Sequence, residues 1–240
     1  MKEFSRRQIQ RTLRKYDLEQ WDVVVAEGHA LQIVGVTDPY QLLDRMLEKD
    51  EQATVRFPYW AEVWPSSLAL GRWFLEGAEG ECESRTAVGF APGKGELLEL
   101  GCGLGLLGIC AARAGWQVQA TDFVEDALVF AAHNAASNAV SGRFQVGYLD
   151  WRRPVGKPVS CILGADLVYE KSHHRLLDNL LRRLLLPGGR FILADPRRPA
   201  ARNFCQILTQ QDYSHAVETR TVRWKSTVHN VHIHLFEKPN

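Results

Sequence analysis

Apolar and polar positions follow a regular order over the second half of the chain. Short apolar runs of the kind that form buried strands occupy residues 96–101, 116–121, 143–149, 159–165 and 190–194. Segments with helical spacing of apolar residues follow these runs, near residues 104–114, 124–139, 171–186 and 199–212. Strands that alternate with helices predict a doubly wound α/β fold on a mostly parallel sheet.

The C-terminal stretch "HAVETRTVRWKSTVHNVHIHLFEK" departs from this order. It contains two extended segments with no helix between them, and such segments pair in the antiparallel sense. We therefore expect a Rossmann-like, doubly wound sheet of seven strands that is mostly parallel and ends in an antiparallel strand pair.

The N-terminal quarter has a different pattern. Residues 1–16 are rich in Arg and Lys and carry Phe4, Ile9 and Leu13 at helical spacing, which predicts a basic amphipathic helix whose role the sequence leaves open. Residues 21–37 are β-rich around a central Glu-Gly-His break and predict a hairpin, and Asp38-Pro39 then begins a helix. We expect an N-terminal helix and hairpin extension over residues 1–55 and one domain over residues 56–240. A polar, glycine-rich connection over 78–95 precedes the regular pattern.

Composition indicates which binding partners and which cellular compartment to expect. Lys and Arg total 29 against 28 Asp and Glu, so no overall charge favours nucleic acid or a membrane surface. The five cysteines include no C-x-x-C pair, which argues against a disulfide framework and a structural zinc and favours a reducing compartment. With no apolar signal segment at the N-terminus, we expect a soluble, cytoplasmic protein of open oligomeric state.

Two overlapping glycine signatures occur in "ELLELGCGLGLLGI". Gly103, Gly105 and Gly108 match the G-x-G-x-x-G of dinucleotide enzymes, in which a helix N-terminus faces a pyrophosphate. Glu99, Gly101 and Gly103 instead match an acidic-x-G-x-G pattern, and a carboxylate there suits a cationic ligand better than a pyrophosphate. Asp122 ends the next strand, where its carboxylate can accept ribose hydroxyls of either cofactor.

Later residues favour S-adenosylmethionine. Asp150 and Trp151 follow the third strand of the regular pattern, where a carboxylate can accept from an adenine amine and an indole can cover the ring. Together with "LLELGCGLGLLGI", "ATDFVEDALVFAAHNAASN", "GADLVYE" and "LLLPGGRFILA", they make about 100 residues that resemble the class I S-adenosylmethionine-dependent methyltransferases.

A narrower resemblance rests on "PYWAEVWPSSLALGRWF", on Trp151 and on "DLVYE". These segments are similar to the methyltransferases that modify protein lysines on chaperones, elongation factors and the electron-transfer flavoprotein β subunit, although Pro65 stands where many relatives have Asp. The resemblance implies an enzyme that N-methylates a lysine of a protein substrate and yields S-adenosylhomocysteine. Alternatives are a small-molecule N- or O-methyltransferase, a non-catalytic cofactor-binding subunit and a nicotinamide dehydrogenase.

The residues and the resemblance together nominate a site. Asp166 and Tyr169 match the acidic-x-x-aromatic signature of the lysine-modifying relatives, so we expect them on the substrate side. The residues expected to contact the cofactor are Trp64, Glu99, Gly101, Cys102, Gly103, Asp122, Asp150, Trp151 and Ala165.

Histidines offer two further possibilities. In "HNVHIH", His232 and His234 alternate onto one strand face near His229, but no acidic or cysteine ligand accompanies them locally, so we predict no metal site. His173 and His174 follow "DLVYE" and could supply a base, although polar residues at a helix start are the commoner explanation.

Overall fold

The computed structural model describes residues 2–49, 57–79 and 95–240. The predicted domain boundary at residue 55 and nearly all of the predicted 78–95 connection, Cys82 included, lie outside these residues. In chain order the elements are α1 (Arg6–Leu13), β1 (Leu18–Ala26), β2 (His29–Val36), α2 (Pro39–Lys49), a 3-10 turn (Tyr59–Ala61), α3 (Pro65–Glu79), β3 (Glu96–Leu100), α4 (Leu106–Arg113), β4 (Gln117–Asp122), α5 (Glu125–Ser137), β5 (Phe144–Tyr148), β6 (Val159–Ala165), α6 (Ser172–Leu184), β7 (Leu185–Asp195), α7 (Pro199–Thr209), β8 (Ser214–Trp224) and β9 (Thr227–Glu237).

Seven strands form the central sheet in the order β5-β4-β3-β6-β7-β9-β8. The first five strands pair in parallel, and β9 pairs antiparallel with both β7 and β8. The predicted fold class is therefore confirmed. The chain moves outward from β3 through β4 to β5 and then returns to the other side of β3 with β6. The carboxyl ends of β3 and β6 thus flank the switch point at which ligands bind in open α/β sheets.

One predicted boundary is wrong in an informative way. The apolar run at 190–194 predicts a strand that begins after the Pro-Gly-Gly segment, but β7 already begins at Leu185, before that segment. Leu185 pairs with Val159 and Arg190 with Cys161, so the segment between them forms a bulge inside the strand. Gly188 supplies the positive φ of +65° that this detour needs.

The N-terminal hairpin is a separate two-stranded sheet that docks on α5. The side chain of Asn134 accepts from the backbone N–H of Val34 and donates to its carbonyl, at 2.9 and 3.0 Å, and Asn138 does the same for Gln32. Two buried amides on one helix face therefore satisfy the polar edge of β2.

The helix α1 also packs on α5. Ser5 and Gln8 form a capping box at its start, and at its end Lys15 and Tyr16 both reach the carboxylate of Asp126.

Buried apolar side chains form a layer on each face of the sheet. The helices α3, α4 and α5 cover one face with the hairpin, and α6 and α7 cover the other. Trp73 is fully buried in the first layer, which agrees with a packing role. Among the described helices, none has the length and apolar character needed to span a bilayer.

Candidate active site

A cavity of about 820 Å³ opens at the carboxyl ends of β3, β4 and β6, and the 3-10 turn and the start of α3 close one side of it. Its size is in the range of small-ligand sites. All eleven residues nominated from the sequence line this one cavity: Trp64, Glu99, Gly101, Cys102, Gly103, Asp122, Asp150, Trp151, Ala165, Asp166 and Tyr169. Their individual roles stay predictions.

The loop after β3 brings backbone to the cavity wall. Gly101 and Gly103 have positive φ angles of +61° and +50°, which disfavour residues with a side chain. A Cβ at Gly101 would lie 3.1 Å from Leu167, and one at Gly103 would lie 3.0 Å from the carbonyl oxygen of Trp60. These two positions therefore require glycine both for conformation and for space.

Asp122 holds this loop from the end of β4. One carboxylate oxygen accepts from the backbone N–H of Gly103 at 3.1 Å, and the other accepts from Val124 at 2.9 Å. Burial raises the pKa of Asp122, and the backbone donors oppose that shift. A buried carboxylate is thus fixed beside the glycine loop, as the sequence prediction for a ribose acceptor requires.

Glu99, the predicted partner of a cationic ligand group, is almost completely buried. It is 2% exposed, and a Cβ on Gly108 of α4 would come within 2.3 Å of its Oε2 atom. Burial raises the pKa of Glu99 to about 8, partly offset by the backbone N–H of Gly108. Gly108, the third glycine of the dinucleotide signature, is therefore explained by the packing of α4 over Glu99. Cys102, next to the loop, is buried, and burial raises the pKa of its thiol.

Aromatic residues form a further part of the cavity wall, and the sequence predicted only some of them. Trp64 donates from Nε1 to the carbonyl of Tyr59 at 2.8 Å, and the Tyr59 ring lies 4.8 Å from that of Tyr169. Trp151 lies 5.8 Å from His173, edge to face. Tyr59 was not nominated, because an aromatic residue in a loop carries no periodic signal that separates cavity from core.

Asp166 has the most unusual environment of the nominated residues. Its φ of +56° lies in the left-handed region, and its backbone N–H is held by Ala194 on β7 at 2.9 Å. Its Oδ1 atom accepts from both Nε and Nη2 of Arg198, at 3.2 and 2.9 Å. Its Oδ2 atom is buried and has no hydrogen-bond partner among the described residues.

Asp166 does not cap α6, which begins six residues later without a side-chain cap. The arrangement therefore leaves one carboxylate oxygen of Asp166, a residue of the cavity wall, with hydrogen-bonding capacity that the described residues do not use.

Arg198 and Asp195 were both missed. Asp195 is the last residue of β7, in "ADPRRPA", and Arg198 precedes α7 and lies in the cavity wall. The backbone N–H of Arg198 donates to Asp195 at 2.6 Å. The pKa of Asp195 is raised to about 6, mainly by burial and also by the neighbouring Asp166, although the hydrogen bond from Arg198 lowers it. The position of a polar run at the carboxyl end of a parallel strand was the available signal.

Asp150 is already engaged in the structure. Both of its carboxylate oxygens accept from the guanidinium of Arg152, at 2.6 to 2.9 Å, and this partner lowers the pKa of Asp150. The Arg152 side chain is 71% exposed, so water screens the pair and its strength is modest. To contact adenine as predicted, Asp150 must either bind Arg152 and the ligand at the same time or release Arg152 when the ligand binds.

The two adjacent histidines are held by backbone carbonyls. His173 is buried, with Nδ1 2.9 Å from the carbonyl oxygen of Leu167, and its ring is part of the cavity wall. His174 contacts the carbonyl of Ala200 and stacks on Phe204 outside the cavity. A base role is thus confined to His173, while His174 ties α6 to α7.

The family described as lysine methyltransferase matches residues 47–211, more than two thirds of the chain. The chain belongs to this lysine methyltransferase family. The chain is similar to mouse EEF1A lysine methyltransferase 3, with 33% identity over 159 residues, or 64% of this chain and 63% of the mouse protein. Zebrafish protein N-lysine methyltransferase METTL21A is 42% identical over 129 residues, or 50% of this chain and 53% of that protein. The chain therefore spans less than two thirds of either relative.

Solved structures support the methyltransferase fold of this family member. The N-methyltransferase NodS of Bradyrhizobium japonicum, solved with S-adenosylhomocysteine, superposes with a TM-score of 0.56 at 19% identity, over 85% of this chain and all of that one. The precorrin-6y C5,15-methyltransferase of Geobacter metallireducens gives 0.52 at 13% identity, over 70% and 87% of the two chains. At such identities the likeness shows the shared fold and not a shared substrate.

Proposed function

We propose that this protein transfers a methyl group from S-adenosylmethionine to the side-chain amine of a lysine in a protein substrate. Membership of the lysine methyltransferase family supports this reaction, as do the two relatives whose names include protein lysine methylation. The observation that carries it is that Asp166, whose buried Oδ2 atom has no hydrogen-bond partner among the described residues, lines the same cavity as the glycine loop.

The cavity fits the cofactor on its own geometry. Gly101 and Gly103 line the cavity and carry no side chain, so a ligand can approach the backbone of this loop closely. Asp122 is positioned to accept from the ribose hydroxyls, and the Trp151 ring edge lies 3.8 Å from the position of a Cβ on Gly101. S-adenosylmethionine, when bound, supplies a methyl group already activated by its sulfonium. The protein's task is therefore alignment of the acceptor amine and exclusion of water.

Asp166 and its neighbours are suited to that alignment. Arg198 fixes Oδ1 with two hydrogen bonds and leaves the buried Oδ2 atom without a partner among the described residues. We infer that Oδ2 becomes the acceptor for the amine when the lysine enters the cavity. A carboxylate stabilises the ammonium form of a lysine, so Asp166 orients the amine and does not lower its pKa. Two effects favour loss of the proton from the lysine ammonium: its burial in the apolar cavity and the positive charge of the nearby sulfonium.

We infer that Tyr169 and Tyr59 enclose the lysine side chain. Their rings lie 4.8 Å apart, and Tyr169 also contacts His173 at 4.4 Å, edge to face. Aromatic faces attract a cationic centre by about 0.5 to 2 kcal/mol, and they pack against an aliphatic stem. We infer that this pair forms the wall of a narrow entry for lysine.

The four described cysteines are all buried and free, which supports a reducing compartment such as the cytoplasm as the place of the reaction.

The variant Asp166→Asn separates binding from transfer. It keeps the size of the side chain and removes its charge, so we expect S-adenosylhomocysteine affinity within a few-fold of wild type by calorimetry. Methyl transfer to cell protein should fall to a small fraction. Asp178→Asn is the matched control, because Asp178 also pairs with an arginine, Arg182, but on the outer face of α6. Full transfer activity in Asp166→Asn would contradict the assignment.

A further inference from the structure

A second cavity of about 390 Å³ lies on the face of the sheet that α7 covers. Three side chains there point ligand atoms at one another: the thiol of Cys205 on α7, and imidazole nitrogens of His215 on β8 and His234 on β9. These three atoms all lie within 4.8 Å of one another. The Nε2 atom of His215 and the Nδ1 atom of His234 are 3.0 Å apart.

Strand register explains why these residues meet. His215 pairs with Phe236, which is two residues from His234, so both histidines point to the same face of the sheet. Asp195 pairs with His232 across β7 and β9 and therefore faces the same side. His229 is an odd number of residues from His234 and faces the opposite side. The "HNVHIH" motif thus contributes one ligand, and two other elements contribute the rest.

We propose that Cys205, His215 and His234 form a binding site for a zinc ion. One thiolate and two imidazoles are ligands that zinc takes in tetrahedral sites, where each ligand atom lies about 2.0 to 2.3 Å from the metal. Ligand atoms that already lie within 4.8 Å of one another need only small rotations to reach that geometry. On binding, the ion displaces the thiol proton of Cys205 to solvent and replaces the contact between the two histidines.

Asp195 lies outside this three-atom cluster and would have to move towards it to act as a fourth ligand. It is 1% exposed, lines the same cavity, and its Oδ2 atom has no hydrogen-bond partner among the described residues. A thiolate and a carboxylate together balance the two positive charges of the ion. Arg197, Arg198 and Arg202 also line this cavity and oppose a cation. Arg197 and Arg202 are exposed, so solvent screens their effect, and the half-buried Arg198 is paired with Asp166.

The site would be structural. It joins α7 to the β8-β9 hairpin, whose strands otherwise end the sheet at an edge. Arg198 lines both cavities, so a metal here would also steady the start of α7 that carries the partner of Asp166. This site does not depend on the methyl-transfer proposal.

Zinc affinity of the full chain, stripped with a chelator and free of any affinity tag, tests the site. Competition against a chromophoric chelator should give one zinc per chain. His215 is exposed, so His215→Ala should fold normally and lose well over tenfold in affinity, since loss even of an outer-shell partner costs about 10- to 100-fold. His229→Ala, on the same hairpin but the other face, should bind zinc as wild type does.

Cobalt substitution reports the thiolate directly. Wild type should show a sulfur-to-cobalt charge-transfer band in the near ultraviolet, and Cys205→Ser should lose it while circular dichroism stays unchanged. Absence of the band in wild type, or equal zinc affinity in wild type and His215→Ala, would overturn the proposal, and neither result would bear on methyl transfer.

Discussion

Replacement of Glu99 by Gln should remove a large pH-dependent component of stability. The carboxyl group is 2% exposed at the end of β3, and burial raises its pKa from 4.5 to about 8. At about 1.4 kcal/mol for each tenfold change in proton affinity, that difference corresponds to about 5 kcal/mol. Glu99 is therefore protonated at neutral pH in the folded, ligand-free protein.

The sign follows from which state holds the proton. The folded state binds it more tightly, so the stabilisation from this group is fully present below pH 4.5 and is lost as the pH rises through 8. Between pH 5 and pH 8 wild type should lose about 3 kcal/mol of unfolding free energy from Glu99 alone. Glu99→Gln keeps the size and an acceptor for Gly108 but cannot ionise.

Urea unfolding of the ligand-free proteins at both pH values measures this effect. The difference between wild type and Glu99→Gln should change by about 3 kcal/mol, because other groups titrate equally in both proteins and cancel. An equal change in the two proteins would refute a buried, proton-holding Glu99.

The same variant tests the predicted counter-charge role. If Glu99 neutralises the amino group of the cofactor, S-adenosylhomocysteine binding at pH 7 should release close to one proton from wild type and none from Glu99→Gln. Calorimetry in two buffers of different ionisation enthalpy detects that proton. Binding without proton release would leave Glu99 with a packing role against Gly108.

Two further substitutions test the cofactor side of the cavity. Asp122→Asn keeps an oxygen for the loop N–H of Gly103 but loses charge-assisted hydrogen bonds of about 1.5 to 3 kcal/mol, so S-adenosylhomocysteine affinity should fall at least about tenfold by calorimetry. Unchanged affinity in a folded protein would exclude Asp122 as the ribose acceptor. Trp151→Ala should weaken cofactor affinity and leave kcat at saturating cofactor nearly unchanged, because stacking is equal in ground and transition states. A lower kcat at unchanged affinity would place Trp151 on the substrate side.

Local pattern predicted the elements well because each strand and helix is set by its own apolar spacing. The edges of β4 and α5, for example, fall within one or two residues of their predicted limits. The sheet edge was predicted from the missing helix between two extended segments. The sequence did not predict the β7 bulge, because pairing with the neighbouring strands β6 and β9 keeps this segment in the sheet. The Pro-Gly-Gly sequence by itself does not indicate that pairing.

Motif spacing brought together the nominated residues, since the carboxyl ends of parallel strands share one edge of the sheet. Contacts between residues of distant elements have no fixed sequence spacing from which they could be predicted. Arg198 lies 32 residues from Asp166, and nothing local links them until β6 and β7 pair. Cys205, His215 and His234 come from three elements and meet only through strand register. The sequence also did not predict how completely a side chain is buried, as the burial of Glu99 beneath α4 shows.

The most direct test of protein-lysine methylation is transfer of label from radiolabelled S-adenosylmethionine into a cell lysate, with wild type and Asp166→Asn compared at equal concentration. We expect wild type to label one or a few protein bands and amino-acid analysis of those bands to release methylated lysine, with little label from the variant. Label confined to small molecules, or recovered from protein on a residue other than lysine, would contradict the account.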